Sequence, residues 1–227
     1  ICQVSSATNL GSGSFGFNSG SLVVDSASLF SQAVNLSGSG SITSQSGNAN
    51  FIGTISGAGG LTTAGAGTVS ISNTTNTYSG GTTITGGTTQ IGAGGSLGTG
   101  NVTFSGGSLR VNSSNTSITQ NIAVNSAATL TVAPDATFGL SGALSGSGAL
   151  SIEGEVGGEE GNPTALSLSG SNSGFSGDLS LIFTQSTIAS GANLGTGAVT
   201  LNSSRLIASS SLTASNDITL SDAFSDT

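Results

Sequence analysis

Four glutamates form the densest group of potentially reactive side chains. Glu153, Glu155, Glu159 and Glu160 lie close together in a glycine-rich stretch. Carboxylate oxygens are ligands that Ca²⁺ prefers, and paired carboxyl groups serve as acid and base in glycoside hydrolysis. These residues are therefore the candidates for a calcium site or an acid/base pair. The alternative, which we favour, is a solvated loop, so we expect no catalytic residue, no metal and no cofactor.

Other constellations that perform catalysis are missing from the sequence. Asp25, Asp135, Asp178 and Asp217 are each isolated and follow no shared pattern. The chain contains no histidine, so neither a Ser-His-Asp arrangement nor a Cys-His pair with Cys2 can form. A GxxxxGK[ST] phosphate loop is also excluded, since it needs a lysine that this chain lacks. The sequence predicts a protein that is not an enzyme.

Charge and hydropathy exclude two classes of partner. The net charge is −8, and Arg110 and Arg205 are the only basic residues. No basic stripe is available to neutralise phosphates, so we expect no binding to nucleic acid. No apolar run approaches the roughly 20 residues of a membrane-spanning helix, so we expect no direct membrane insertion of this segment. Cys2 is the only cysteine, which excludes an internal disulfide.

The composition is unusual, with 38 glycines and only 5% charged residues. A chain so rich in glycine and serine would ordinarily be interpreted as a flexible linker. Apolar residues nevertheless recur at every second position in short bursts, as in VSI at 69–71 and LSL at 166–168. This is the period of a β-strand. Glycine and threonine interrupt every window that could hold an amphipathic helix, so the sequence predicts an all-β fold with essentially no α-helix.

A long internal repeat organises these strands. The segment LGTGNVTF at 97–104 recurs as LGTGAVTL at 194–201, an offset of 194 − 97 = 97. Tyr78 and Phe175 are separated by the same offset, 175 − 78 = 97. A partial earlier copy begins at Leu10. A fixed period of this kind is the signature of a repeat architecture.

A shorter motif suggests the size of the physical unit. The pattern aliphatic-SGxGx-aliphatic occurs at 36–42, 55–61 and 144–150, and the first two copies are offset by 55 − 36 = 19. This spacing predicts coils of about 20 residues that pair in parallel with the coils on either side. We therefore predict one continuous β-solenoid over 1–227, with about eleven coils and an acidic inserted loop near 153–163.

Glycine and asparagine are expected at the corners of the coils. Glycine permits the positive φ angles that tight corners need. We interpret Asn73, Asn76, Asn101 and Asn112 as turn residues, which bond their own backbone or stack on asparagines of the next coil.

Residues 76–103, NTYSGGTTITGGTTQIGAGGSLGTGNVT, resemble the autotransporter-associated β-strand repeat of type V secreted proteins. The matching positions are Tyr78, the pair Gly80 and Gly81, Ile84 and the LGTG turn at 97–100. The second copy, 172–200, is looser, since Asp178 replaces the second glycine and QST at 185–187 replaces the strand-turn glycines.

This resemblance implies a right-handed parallel β-helix from the passenger domain of an autotransporter, secreted through the outer membrane by a C-terminal translocator barrel. We expect this chain to be a fragment of such a passenger, located at the bacterial cell surface or outside the cell. Its function would be that of a stalk or adhesin contacting a host cell, a glycan or a neighbouring cell. The alternative is an extracellular fibre subunit that self-associates end to end, and a more distant one is a β-helix that binds or cleaves polysaccharides.

Overall fold

The computed structural model describes residues 1–156 and 163–221, and the chain divides into two compact units, Ile1–Arg110 and Val111–Thr227. The described residues form a parallel β-solenoid of about eleven turns, which confirms the predicted fold class. Helix within these residues is limited to three four-residue 3₁₀ helices, Ala7–Leu10, Gly94–Leu97 and Gly191–Leu194. None of them has the length and hydropathy of a membrane span.

Unit 1 winds through three parallel sheets, which we name 1a, 1b and 1c. Sheet 1a contains Cys2–Val4, Gly20–Val24, Gly40–Ser44, Leu61–Gly65, Thr82–Ile84 and Val102–Phe104. Sheet 1b contains Ser28–Phe30, Asn48–Phe51, Thr68–Ile71 and Thr88–Ile91. Sheet 1c contains Phe15–Phe17, Val34–Leu36 and Ile55–Ser56. The division between the units falls within a further strand, Ser108–Val111.

Unit 2 also has three parallel sheets, named 2a, 2b and 2c. Sheet 2a contains Ile122–Val124, Leu144–Gly146 and Gly174–Phe175. Sheet 2b contains Ala128–Val132, Leu150–Gly154, Leu179–Ile182, Val199–Asn202 and Ile218–Ser221. Sheet 2c contains Thr116–Ile118, Thr137–Leu140, Thr164–Leu168, Thr184–Ile188 and Arg205–Ala208.

The strand register gives the length of a turn. Gly20 lies opposite Gly40, and Gly40 lies opposite Leu61, so the register advances by 40 − 20 = 20 and then by 61 − 40 = 21. These advances agree with the predicted coil length. The spacing of the short motif is not itself the register, because Ile55 lies opposite Val34 and not opposite Leu36. The turn that carries the insertion is longer, since Leu150 lies opposite Leu179, an advance of 179 − 150 = 29.

Inward side chains form columns along each unit, as the alternating pattern predicts. In sheet 1a, Leu22, Ile42, Thr63, Ile84 and Phe104 follow one another in register, and none is more than 2% exposed. Each buried apolar side chain contributes about 1.5–3 kcal/mol through the area that it removes from water. The core of the first unit is therefore a stack of aliphatic and aromatic residues.

Buried hydroxyl pairs interrupt this apolar core. In unit 1, the hydroxyls of Thr63 and Thr89 are 2.6 Å apart, and both residues are fully buried. In unit 2, the hydroxyls of Thr184 and Ser186 are 2.9 Å apart, also with full burial. Pairing satisfies polar groups that would otherwise be costly to bury.

Candidate functional site

Two of the four candidate glutamates, Glu153 and Glu155, belong to the part of the chain that the structure describes. Glu153 belongs to strand Leu150–Gly154, where its carboxylate accepts a hydrogen bond from Ser151 Oγ at 3.0 Å. Glu155 continues the ladder, since its backbone N–H donates to the Val132 carbonyl at 2.9 Å. Glu159 and Glu160 lie outside the described residues. Within the described ranges, no three His, Cys, Asp or Glu side chains form a group that could hold a metal.

The isolated aspartates serve corners and edges of the coils. Asp25 accepts two hydrogen bonds from the Gln3 amide, at 2.9 and 3.1 Å. Asp178 accepts one from the Ala198 N–H at 3.1 Å. Asp135 has a positive φ of 54°, and the Asp217 carbonyl accepts the Val199 N–H at 2.9 Å. These roles are structural.

Neither unit groups cationic side chains among its described residues. In unit 1, Arg110 donates to the Gln90 amide oxygen at 3.2 Å, and Cys2 is exposed as a free thiol. Arg205 is exposed on a strand of sheet 2c. The structure thus assembles no cationic cluster from the described residues of either unit.

A buried asparagine joins three successive turns of unit 1. Asn76 is 5% exposed, and its Oδ1 accepts the Ile55 N–H at 2.7 Å. Its Nδ2 donates to the Ser96 carbonyl at 2.9 Å and to the Asn73 carbonyl at 3.0 Å. The segment that contains Asn76 is not a strand, so this side chain supplies the hydrogen bonds that backbone pairing makes elsewhere. Asn76 thus bonds the backbone of its own turn and also bridges to the turns on either side. Asn73 forms a turn, since its Oδ1 accepts the Thr75 N–H at 2.9 Å, and its Nδ2 donates to the Ile52 carbonyl of the preceding turn at 3.2 Å.

The second copy of the repeat builds the same arrangement in unit 2. Asn172 is 1% exposed, its Oδ1 accepts the Leu144 N–H at 2.7 Å, and its Nδ2 donates to the Asn193 carbonyl at 2.6 Å. The neighbouring aromatic residue of each copy, Tyr78 or Phe175, is fully buried. Its carbonyl accepts an N–H from the following turn, that of Thr99 at 2.9 Å or Thr196 at 2.8 Å. The two copies thus make similar contacts, although the asparagines are offset by 172 − 76 = 96 and the aromatic residues by 175 − 78 = 97.

The Leu-Gly turn of the repeat is a capped 3₁₀ helix. Leu97 and Leu194 each end such a helix, and the glycines that follow, Gly98 and Gly195, have φ of 67° and 77°. The partial early copy shows the same geometry, with helix Ala7–Leu10 followed by Gly11 at φ 73°. Left-handed backbone of this kind favours glycine. The sequence predicts a turn here but does not reveal the helix.

Tyr78 provides a test of this buried geometry. Its hydroxyl lies 2.6 Å from Thr82 Oγ1, and burial raises the pKa of the phenol well above its usual value near 10. The unfolded chain therefore loses the phenol proton at a lower pH than the folded chain does. Stability should be constant with respect to this group below pH 10 and fall above it, by up to about 1.4 kcal/mol per pH unit.

We expect alkaline unfolding of the chain to coincide with the tyrosinate absorbance change, because Tyr78 is the only tyrosine. The control is Tyr78→Phe, which should remove the absorbance change and flatten the stability profile between pH 10 and 12. Tyrosinate formation in a chain that stays folded would show that the phenol is accessible to solvent.

Outward hydroxyls form a regular column on sheet 1a, which we name the hydroxyl column. Its members stand in register on five successive strands, and each is half-buried between its neighbours: Ser21, Ser41, Thr62, Thr83 and Thr103. Among the described residues, none of these side chains has a hydrogen-bond partner. Parallel strands place successive hydroxyls about 4.8 Å apart. This face can therefore offer uncharged donors and acceptors to a contacting surface.

A shallow groove lies on the outer side of sheet 2c, and polar side chains stand along a lining that is otherwise mostly apolar. The groove has a volume of about 380 Å³ and is centred on Gly139, and we name it the Gly139 groove. The lining residues are Asn115, Thr116, Ser117, Thr137, Phe138, Gly139 and Ser167. None of these residues is charged. Sequence reasoning missed this groove, because Gly139 looks like any other corner glycine until the strand register is known.

Comparison of the chain with protein-family models, with curated proteins and with solved structures gives no match.

Proposed function

We propose that this chain is a non-enzymatic, extracellular segment of a bacterial surface protein of the autotransporter type, acting as a stalk or adhesin. The observation that carries the proposal is the duplicated arrangement around Asn76 and Asn172, which includes the residues that match the autotransporter-associated repeat. Asn76 and Asn172 hold successive turns together, and the matching residue Tyr78 is fully buried beside Asn76. A repeat that only builds a scaffold suits a protein whose task is to extend and to display.

Two surfaces of the chain support a function in contacting another surface. The hydroxyl column and the Gly139 groove offer uncharged hydrogen-bonding groups, while the chain as a whole carries a net charge of −8. High net charge of one sign also keeps an exposed repeat protein from associating with itself.

A non-enzymatic role is supported by the contacts of the described acids. Glu153 accepts from Ser151, and Asp25 accepts from Gln3. A screen for depolymerisation of polysaccharides tests this part of the proposal, and we expect no activity. Activity that disappears in Glu153→Gln or Glu155→Gln would replace the proposal with an enzyme.

Surface display tests the main proposal. The chain is fused between a secretory signal and an autotransporter translocator in a Gram-negative host, with a passenger-free translocator as the control. We expect folded display on the outer surface, with trypsin sparing Arg110 in strand Ser108–Val111 until the protein is denatured. We also expect more attachment of displaying cells to host-cell or glycan-coated surfaces than of control cells. Retention in the periplasm, or display without added attachment, would contradict the proposal.

Electron microscopy of the purified chain addresses the fibre alternative. The stalk or adhesin proposal predicts single particles of uniform size. Filaments that grow with protein concentration would instead support a self-assembling fibre subunit.

A further inference from the structure

We propose that the Gly139 groove binds a short stretch of a neutral polysaccharide. This inference rests on the proposed adhesive function and names the chemical class of ligand for one surface. It is argued from three properties of the groove, which are its free polar groups, its lack of charge and its shape.

The polar side chains of the groove are exposed and free to bind a ligand. Asn115, Ser117, Thr137 and Ser167 are all exposed, and none has a hydrogen-bond partner among the described residues. Hydroxyl and amide groups both donate and accept hydrogen bonds. The groove therefore matches a ligand that also carries many groups able to do both.

Many hydroxyls elsewhere in the protein are already engaged. Ser37 Oγ donates to the Phe17 carbonyl at 3.1 Å, Ser145 Oγ to the Ile122 carbonyl at 3.4 Å, and Thr196 Oγ1 to the Phe175 carbonyl at 3.2 Å. These side chains bond to the preceding turn. The four polar groups of the groove are free of such bonds, and unlike the equally free hydroxyl column they line one groove.

Charge selects a neutral ligand. A cation would need a carboxylate in the lining, and an anion would need a basic group, but the groove residues offer neither. The net charge of −8 further disfavours polyanions such as uronic-acid or sulfated polysaccharides. A neutral polyhydroxyl chain meets both conditions.

The shape of the groove comes from one missing side chain. Ser117, Gly139 and Ser167 stand in register on three adjacent strands. The gap at Gly139 leaves the two serine hydroxyls about 10 Å apart, with a floor of backbone between them. A Cβ atom built at Gly139 would lie 3.1 Å from Ser117 Cβ, so any side chain here would occupy the gap. The groove is wide open to solvent, so it suits a chain that lies along the surface and not an enclosed small molecule.

Affinity electrophoresis in native gels tests the inference, because the acidic chain migrates readily and the variants keep its charge. The probes cast into the gels are the neutral polysaccharides amylose, mannan and galactan, with heparin and polygalacturonate as anionic comparators. We expect at least one neutral polysaccharide to retard the protein, with a Kd on the order of 1 mM. We expect Gly139→Ser, which fills the gap, to weaken that binding at least tenfold.

Two further variants make the result decisive. Ser117→Ala combined with Thr137→Val removes two hydroxyls without filling the groove, and it should also weaken binding at least fivefold. Thr54→Val, at an exposed residue of the other unit that belongs to neither polar surface, should bind as the unaltered chain does. Circular dichroism establishes that each variant is folded.

The inference is wrong if no neutral polysaccharide retards the protein, if the anionic comparators retard it more, or if Thr54→Val abolishes retardation and Gly139→Ser does not. Each of these results leaves the display experiment unaffected. Conversely, if the chain failed to be displayed on cells, the binding of the purified chain to polysaccharide would still be measured independently.

Discussion

Replacing Asn76 with alanine should destabilise the protein by about 1–3 kcal/mol for each of the two buried backbone groups that lose their partner. These groups are the Ile55 N–H and the Ser96 carbonyl, which both bond to this one side chain, at 2.7 and 2.9 Å. Because one substitution leaves both groups unsatisfied, the two losses add. Urea unfolding followed by circular dichroism measures the change in the free energy of unfolding, and amide exchange at Ile55 should become faster in the variant.

The chain offers a matched control and a replicate for this prediction. Asn35 is exposed on strand Val34–Leu36, and its side chain has no hydrogen-bond partner among the described residues. Asn35→Ala should therefore change stability by no more than about 0.5 kcal/mol. Asn172→Ala should reproduce the large loss through the Leu144 N–H and the Asn193 carbonyl. Equal, small effects at Asn76 and Asn35 would mean that the side chain does not bridge the turns.

Much of the fold follows from the sequence because every turn of the solenoid must bury alternating apolar residues in the same way. Period-2 alternation places Leu22 and Ile42 in one buried column, and the spacing of the short motif approximates the length of the turns around it. The bridging role of Asn76 could not be predicted, since the sequence shows that an asparagine suits a turn but not which groups of the neighbouring turns it reaches. The 3₁₀ helices are also invisible, because each is too short to show a helical period.

The candidate site was harder to predict than the fold. Sequence proximity grouped Glu153 with Glu155, but Glu153 bonds to Ser151 of its own strand and the structure shows no metal-binding group among the described residues. The Gly139 groove depends on residues that are distant in sequence, Ser117 and Ser167, and that only the register brings to either side of Gly139. Which residues share a face of the sheet depends on how the strands pair, and a search for local sequence motifs does not detect it.

Replacing Gly59 with alanine should destabilise the protein by about 3 kcal/mol, at the upper end of the cost of overpacking. A Cβ atom at this position would lie 1.9 Å from the Gly38 carbonyl oxygen, which belongs to the preceding turn. The clash is with backbone, so a rotamer change cannot relieve it. The two turns must separate locally, which strains the bonds from the Gly59 N–H to the Leu36 carbonyl at 2.7 Å and from the Gly80 N–H to the Gly59 carbonyl at 3.1 Å.

Gly13 provides the control, because a Cβ atom there has no neighbour within 4 Å. Gly13→Ala should be neutral, or stabilising by a few tenths of a kcal/mol through the smaller entropy of its unfolded chain. Both variants are compared by urea unfolding. If Gly59→Ala were as stable as Gly13→Ala, the turns could not approach each other as closely as the Gly38 and Gly59 backbones do. The SGxG motif would then reflect composition and would not report the contact between successive turns.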